Sequence, residues 1–248
     1  MDSFLPPDIS LHASMALVAF SALTSFITAA AGIGGGVVML ALMAVIVPAQ
    51  ALIPVHGAVQ IGSNAGRMAI MASHVQWPVL MPFALGAVLG ASLGGLTAVQ
   101  LSPGVLKIGL AGFILWSVWF PPVGMKGRLA VVGSGAFSSF LTMFFGATGT
   151  FVAAMVKTLK LGRLEHVATH AACMVVQHLI KIVVFGLLGF AFAPYLGLVG
   201  AMILSGFVGT VIGKRCLVKM NDVLFHRVLA VILTLLAAKL LYDGVMAL

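Results

Sequence analysis

The sequence contains few acidic residues and little charge of any kind. Of its 248 residues, five are Asp or Glu and 13 are Lys or Arg, so that charged residues make up 7% of the chain. Soluble proteins average about 25% charged residues. The chain is 62% hydrophobic, with a mean hydropathy of +1.21. We therefore expect an all-α polytopic membrane protein whose function lies within the membrane bundle, since no connection is long enough for a soluble domain.

Cysteine is also scarce. Cys173 and Cys216 lie far apart, which argues against a disulfide framework or a metal pair. The histidines lack neighbouring carboxylates, and no nucleophile stands beside an acid or base, so neither a metal, a cofactor nor an enzyme is expected. The net charge of +8 comes from basic residues in short loops, as the positive-inside rule produces, and does not indicate nucleic acid.

Two predicted apolar helices carry what we call a polar stripe, a row of polar residues on one helix face. The helix predicted from Leu52 to Ser73 carries His56, Gln60, Asn64 and Arg67 at steps of four, four and three. The helix predicted from Glu165 to Gly189 carries His170, Gln177, His178 and Lys181. In both helices the histidine that begins the stripe stands the same distance from the cation that ends it.

The stripes belong to an internal duplication. A shift of 114 residues places His56 on His170, Ser63 and Asn64 on Gln177 and His178, Arg67 on Lys181, and Gly32 and Gly35 on Gly146 and Gly149. We therefore predict two homologous halves, residues 1–122 and 123–248, which together form one transmembrane domain.

A glycine-rich break precedes each stripe. Gly32 to Gly36 follows a predicted span, Leu11 to Ala31, and precedes a short apolar piece, Val37 to Val47. Gly146 to Thr150 follows the span Leu129 to Phe145 and precedes Phe151 to Val156. Such breaks leave helix-terminal N–H groups that attract anions, or they allow close helix packing. Their matched positions favour the anion-binding interpretation.

Other glycines are interpreted as packing positions. Gly86, Gly90 and Gly94 recur at spacing four in one predicted span, and Gly209 and Gly213 do so in another. Small residues at this spacing let the backbones of membrane helices approach each other.

Basic clusters predict the topology. They are expected on the cytoplasmic side, and they comprise Lys126 and Arg128, then Lys157, Lys160 and Arg163, then Lys214, Arg215 and Lys219 in a loop that runs to Arg227. Each half then has five segments, two of them in a hairpin, within a total of eight to ten. An odd number gives inverted repeats with both termini outside. A four-span half would instead give parallel repeats.

Arg67 and Lys181 need a counter-charge. A cation at mid-membrane costs roughly 2.5–3.5 kcal/mol, and the acidic residues all lie at termini or predicted helix ends. Helix C-termini, carbonyls, lipid headgroups or a bound anion could compensate the two cations. We favour a bound anion.

These features resemble the sulfite exporter TauE/SafE family over nearly the whole chain. The resemblance rests on Ala31 to Gly36, the matching second break, the polar helix after each break, and the glycine-spaced span after a turn with Trp77. It implies a multi-pass carrier in the bacterial inner membrane for sulfite, sulfonates or related organic anions.

The resulting hypothesis is a secondary transporter, with its anion between the two breaks and the two stripes. Backbone donors are expected at Gly34, Gly35, Gly36, Gly149 and Thr150. Hydrogen-bonding side chains are expected at His56, Gln60, Ser63, Asn64, His170, Gln177 and His178, with charge from Arg67 and Lys181. The expected partners are a small anionic substrate, the lipid bilayer and a second copy of the chain in a homodimer. The rivals are a passive anion channel, a non-transporting membrane enzyme or an assembly subunit.

Overall fold

Ten α-helices and three short 3₁₀ turns form the secondary structure in the described part of the chain, residues 6–31, 34–98, 102–120, 127–216 and 222–248 of a computed structural model. The first five helices are α1 Leu11–Ala31, α2 Gly35–Ile46, α3 Ala49–Ile70, α4 Leu80–Ala98 and α5 Pro103–Trp119. The other five are α6 Arg128–Phe145, α7 Gly149–Lys157, α8 Arg163–Leu187, α9 Leu196–Cys216 and α10 Asp222–Val245.

The molecule is a polytopic membrane protein, as its composition predicted. Within the described residues, α1, α4, α6, α8 and α9 are long and apolar enough to cross a bilayer. The helices α2 and α5 include shorter apolar segments. The stripe helix α3 is 22 residues long, but its polar residues make it less apolar than these spans.

The predicted basic loop from Lys214 to Arg227 is wrong at both ends. Lys214 and Arg215 lie in the last turn of α9, and Arg227 lies within α10. Both helices therefore extend further than hydropathy suggested, because the long stems of Lys and Arg let a helix continue towards the membrane surface while the charge stays in water. Lys126, Lys219 and the first two residues of the first break, Gly32 and Ile33, lie outside the described residues.

Each break turns the chain back on itself. Gly34 precedes α2 with φ 104°, and Gly146 follows α6 with φ 73°. Glycine adopts this left-handed region without steric cost, so it suits both turns. The short helices α2 and α7, of 12 and nine residues, then pack against the helices that precede them.

Helices that lie far apart in the chain pack in pairs, since α4 packs on α6 and α1 packs on α9. Later residues of α4 contact later residues of α6, since Gly86 meets Val132 and Gly90 meets Ala136. The two helices therefore run in the same direction. The helices α1 and α9 also run in parallel, because Gly209 meets Ala22 and Gly213 meets Phe26.

The helices at the centre run in opposite directions. His56 and Gly57 in the first half of α3 meet His178 and Lys181 in the second half of α8. Beyond the end of α3, the backbone N–H of Gln76 donates to the hydroxyl of Thr169 near the start of α8. The same reversal relates α5 and α10, where Gly104 meets Gly244 and Trp119 donates to Thr234.

The glycine series of α4 and α9 are packing positions, which confirms that interpretation. A Cβ at Gly86 would lie 1.9 Å from the carbonyl oxygen of Val132, and one at Gly209 would lie 1.9 Å from that of Ala22. No side chain fits there without moving the backbone, so these glycines set the distance between the helices.

Candidate functional site

A small cavity lies where the two breaks meet the two stripe helices. Its volume is about 40 Å³. On the same measure a single water needs about 10–15 Å³, so the cavity has room for about three waters or a small oxyanion. The lining residues are Thr28, Gly34, Gly36, Val37, His56, Gln60, Asn64, Arg67, Ala147, Gly149, Thr150, His170, Met174 and His178.

Arg67 supplies the positive charge of this cavity. Its side chain is 2% exposed, and Nη2 donates to Oδ1 of Asn64. The amide of Asn64 in turn donates to the backbone oxygen of Gln60 at 2.7 Å, which fixes the orientation of Asn64. Within the described residues, Nε and Nη1 of Arg67 have no hydrogen-bond partner. The guanidinium is therefore held at one end, while its remaining donors lack a partner.

No carboxylate stands near these donors, because none of the residues that line the cavity, all of them in the described part of the chain, is acidic. Leaving buried donors of a charged group unpartnered is costly. These donors thus lack a negatively charged hydrogen-bond acceptor, and a bound anion would supply one.

His56 and His170 hold the two short helices in equivalent ways. Nε2 of His56 lies 3.0 Å from the carbonyl oxygen of Gly36, and Nε2 of His170 lies 3.0 Å from that of Gly149. A carbonyl oxygen only accepts, so Nε2 carries the proton in both rings. Each histidine thereby fixes the first turn of its short helix.

His178 differs from these two. Its ring meets that of His56 edge-on, with the centroids 6.1 Å apart. Both of its ring nitrogens are buried and, among the described residues, have no hydrogen-bond partner. His178 therefore offers the cavity a second set of unused polar atoms.

Ser63 and Gln177, which the shift of 114 residues superimposes, each form a hydrogen bond to the helix pair around a glycine break, α1 and α2 for Ser63 and α6 and α7 for Gln177. The hydroxyl of Ser63 lies 2.9 Å from that of Ser25 on α1. Nε2 of Gln177 donates to the hydroxyl of Thr148 at 2.8 Å, and that hydroxyl donates to the backbone oxygen of Ser138. Neither residue lines the cavity.

Lys181 is bound to the end of a helix. Its side chain is fully buried, and Nζ donates to the carbonyl oxygen of Gly146 at 3.2 Å and to the hydroxyl of Thr142 at 3.5 Å. Both partners belong to the C-terminal end of α6, which carries the negative end of the helix dipole. This helix end supplies part of the counter-charge that Lys181 needs.

The structure thus brings most of the predicted site residues together. Those that line the cavity are Gly34, Gly36, His56, Gln60, Asn64, Arg67, Gly149, Thr150, His170 and His178. Gly35, Ser63, Gln177 and Lys181 do not line it. A Cβ at Gly35 would lie 1.8 Å from the backbone oxygen of Thr24, so this glycine serves the contact of α2 with α1.

Thr28, Val37, Ala147 and Met174 line the cavity without having been predicted. A sequence signal was present for Thr28, because the shift of 114 residues places it on Thr142, the residue that contacts Lys181. Val37, Ala147 and Met174 are apolar residues of a kind found throughout this chain, so nothing in the sequence distinguishes them.

A protein-family model, described as sulfite exporter TauE/SafE, matches residues 17–240. The chain belongs to this family. TauE/SafE proteins are membrane transporters of sulfur anions and are not enzymes. The match includes both breaks and both polar stripes. A comparison with curated proteins found no match, and a comparison with solved structures found none either.

The family implies a small anionic substrate. The cavity has the size of an oxyanion, lies among buried polar atoms and contains one cation with unused donors.

Proposed function

We propose that this chain is a secondary transporter that carries a sulfur-containing oxyanion or organic anion, such as sulfite or a sulfonate, across the bacterial inner membrane. The anion occupies the small cavity, with Arg67 as its charge partner. Asn64 orients Arg67, and the first-turn N–H groups of α2 and α7 add dipoles that favour negative charge.

The unpartnered donors of Arg67 are the observation that supports this proposal most. Nε and Nη1 are buried, and no acidic residue lines the cavity beside them. The planar guanidinium matches an oxyanion through two parallel hydrogen bonds. His178 adds two ring nitrogens that also lack a partner among the described residues.

The transport mechanism we propose rests on inverted repeats, formed by residues 1–122 and 123–248. Equivalent helices in the two halves, α3 with α8 and α5 with α10, meet antiparallel. Repeats related by an axis along the membrane normal would place such pairs in the same direction. Inverted repeats suit alternating access, in which one half rocks against the other around a site at their interface.

Binding and transport by the purified protein test the proposal. Sulfite, sulfate, a short alkyl sulfonate and acetate are each titrated against the detergent-solubilised protein and assayed for uptake into proteoliposomes. We expect the sulfur oxyanions to bind and enter, and Arg67→Gln to lose both properties. Lys157→Gln, which removes an exposed lysine and the same charge, is the matched control and should behave as the parent. Sulfite binding by Arg67→Gln at the parent's affinity would refute the site.

A further inference from the structure

A second, larger cavity, which we call the vestibule, is lined in part by α3 and α8, the two stripe helices that also line the anion cavity. Its volume is about 310 Å³. Its lining includes Gln50, Ile53, Pro54, Pro103, Met143 and Phe185. These residues belong mainly to the start of α3, the start of α5 and the end of α8, so the vestibule lies towards one end of the helix bundle.

Lys181 lies between the two cavities, as the order of residues along α8 indicates. His178 lines the anion cavity, and Phe185 lines the vestibule. Lys181 comes one turn after the first and one turn before the second, and it is fully buried.

The same order holds on α3. Ile53 and Pro54 line the vestibule, and His56 lines the anion cavity. Next to His56, a Cβ at Gly57 would come within 2.6 Å of Cε of Lys181, so the lysine stem passes directly over this glycine.

The end of α6 also has one residue at each cavity. Met143 lines the vestibule, and Ala147 lines the anion cavity. Thr142 and Gly146, beside these two residues, hold the ammonium of Lys181. Lys181 on α8 and its partner Gly146 at the end of α6 thus lie between residues of the vestibule and residues of the anion cavity, and on α3 the lysine stem packs at Gly57, beside the anion cavity.

We propose that Lys181 is the gate between the vestibule and the anion cavity. Its ammonium closes the passage while it is bound to Gly146 and Thr142, and an oxyanion that arrives through the vestibule opens the passage by attracting the ammonium. This inference rests on the proposed function, since it needs an anion that moves between the two cavities.

The chemistry of the contacts suits a gate. The ammonium is held by a carbonyl oxygen and a hydroxyl oxygen, both neutral. Hydrogen bonds between two charged groups are stronger than those with a neutral partner, so an oxyanion competes well for the ammonium. A cation in this position also admits anions in preference to cations.

Cysteine labelling of the full-length protein tests the gate. In a background with Cys173→Ala and Cys216→Ala, one reporter is Ala147→Cys in the anion cavity and the other is Gln50→Cys in the vestibule. Each is reacted in detergent with an anionic, sulfonate-bearing methanethiosulfonate and with a cationic trimethylammonium analogue. Sulfite is left out because it cleaves the mixed disulfides that the reagents form.

With Lys181 present, we expect Ala147→Cys to react at least ten-fold more slowly than Gln50→Cys, and to prefer the anionic reagent. Lys181→Met should raise the rate at Ala147→Cys several-fold and reduce that preference, because it keeps the bulk of the stem but removes the ammonium. Gln50→Cys should keep its rate, which shows that the fold is intact. Equal rates at both reporters with Lys181 present, or an unchanged rate at Ala147→Cys in Lys181→Met, would overturn the gate.

Lys181→Ala separates a gate from a simple filling of space. If Ala raises the rate at Ala147→Cys but Met does not, the lysine only fills volume and the proposal fails. Because the labelling uses no sulfite, its failure leaves the anion site standing. Conversely, unimpaired sulfite binding by Arg67→Gln would refute the anion site without changing the labelling result.

Discussion

The first and second halves hold their stripe helices with equivalent contacts at the histidines and with different contacts at the cations. His56 and His170 both bind a carbonyl in the first turn of a short helix, at 3.0 Å in each case. Eleven residues further on in both helices, about three turns, Arg67 faces the cavity with donors that have no partner among the described residues, while Lys181 is bound to the end of α6.

The difference follows from the shapes of the two cations. An ammonium is a compact charge with three donors, and a helix-end carbonyl with a nearby hydroxyl satisfies it in part. A guanidinium carries five donors in a rigid plane, which a single amide oxygen cannot satisfy. Asn64 therefore orients Arg67 without neutralising it. Arg67 and Lys181, which the shift of 114 residues superimposes, thus differ in their partners: among the described residues Arg67 keeps donors without a partner beside the cavity, and Lys181 contacts the end of α6.

The largest expected effect concerns anion affinity. Arg67→Gln should weaken sulfite binding by about 100-fold, because the Coulomb attraction at 4 Å rises from about 1 kcal/mol in water to about 4 kcal/mol at an effective dielectric of about 20, and each 1.4 kcal/mol is about tenfold. Lys181→Gln should weaken binding only by a few-fold, since Lys181 does not line the cavity. Calorimetric titration measures both affinities.

Stability without ligand provides the control for this pair. Arg67→Gln should keep or raise the thermal midpoint of the ligand-free protein, because it removes a buried cation that lacks a counter-charge, while the stabilisation by sulfite should disappear. An equal loss of affinity in Lys181→Gln and Arg67→Gln would mean that the two cations contact the anion alike, and the contrast between the halves would fail.

Much of the fold could be predicted from the sequence, because hydropathy and glycine breaks are local signals. The first helix was predicted as Leu11 to Ala31, its observed range, and the short helices after both breaks were found within a few residues. The ends of α9 and α10 were missed, since charged side chains do not end a helix at the membrane surface.

The candidate site was predictable only in part, for a physical reason. A stripe at helical spacing identifies residues on one face, and this brought His56, Asn64 and Arg67 to the cavity. Which partner a flexible cation selects depends on distances across the bundle. The contact of Lys181 with Gly146, 35 positions earlier in the chain, is set by how α6 ends beside α8.

The second largest expected effect concerns the glycines at which α4 packs on α6 and α9 packs on α1. Gly86→Ala and Gly209→Ala should each lower the free energy of unfolding by about 1–3 kcal/mol or more, because the new Cβ would lie 1.9 Å from a backbone oxygen in both cases. Thermal unfolding of the purified variants measures the loss.

Gly200→Ala is the matched control, since a Cβ at this position of α9 meets no atom within 4 Å. It should hold or raise stability, because alanine favours a helix over glycine by roughly 0.5–1 kcal/mol. If Gly86→Ala were harmless while Gly209→Ala unfolded the protein, the two packing faces would not be equivalent.

The smallest effect separates the three histidines by their contacts. His56→Leu and His170→Leu each remove one hydrogen bond to a backbone carbonyl, so each should cost about 0.5–1.5 kcal/mol of stability. The two losses should be similar, because the two bonds have the same length and fix equivalent short helices.

His178→Leu removes a ring whose nitrogens have no partner among the described residues, so thermal stability without ligand should hold or rise. Its effect should instead fall on sulfite affinity, by about tenfold, since a hydrogen bond to a charged group contributes about 1.5–3 kcal/mol. Thermal unfolding with and without sulfite measures both properties on the same three variants. A loss of stability in His178→Leu with unchanged sulfite binding would assign this ring to packing and remove it from the anion site.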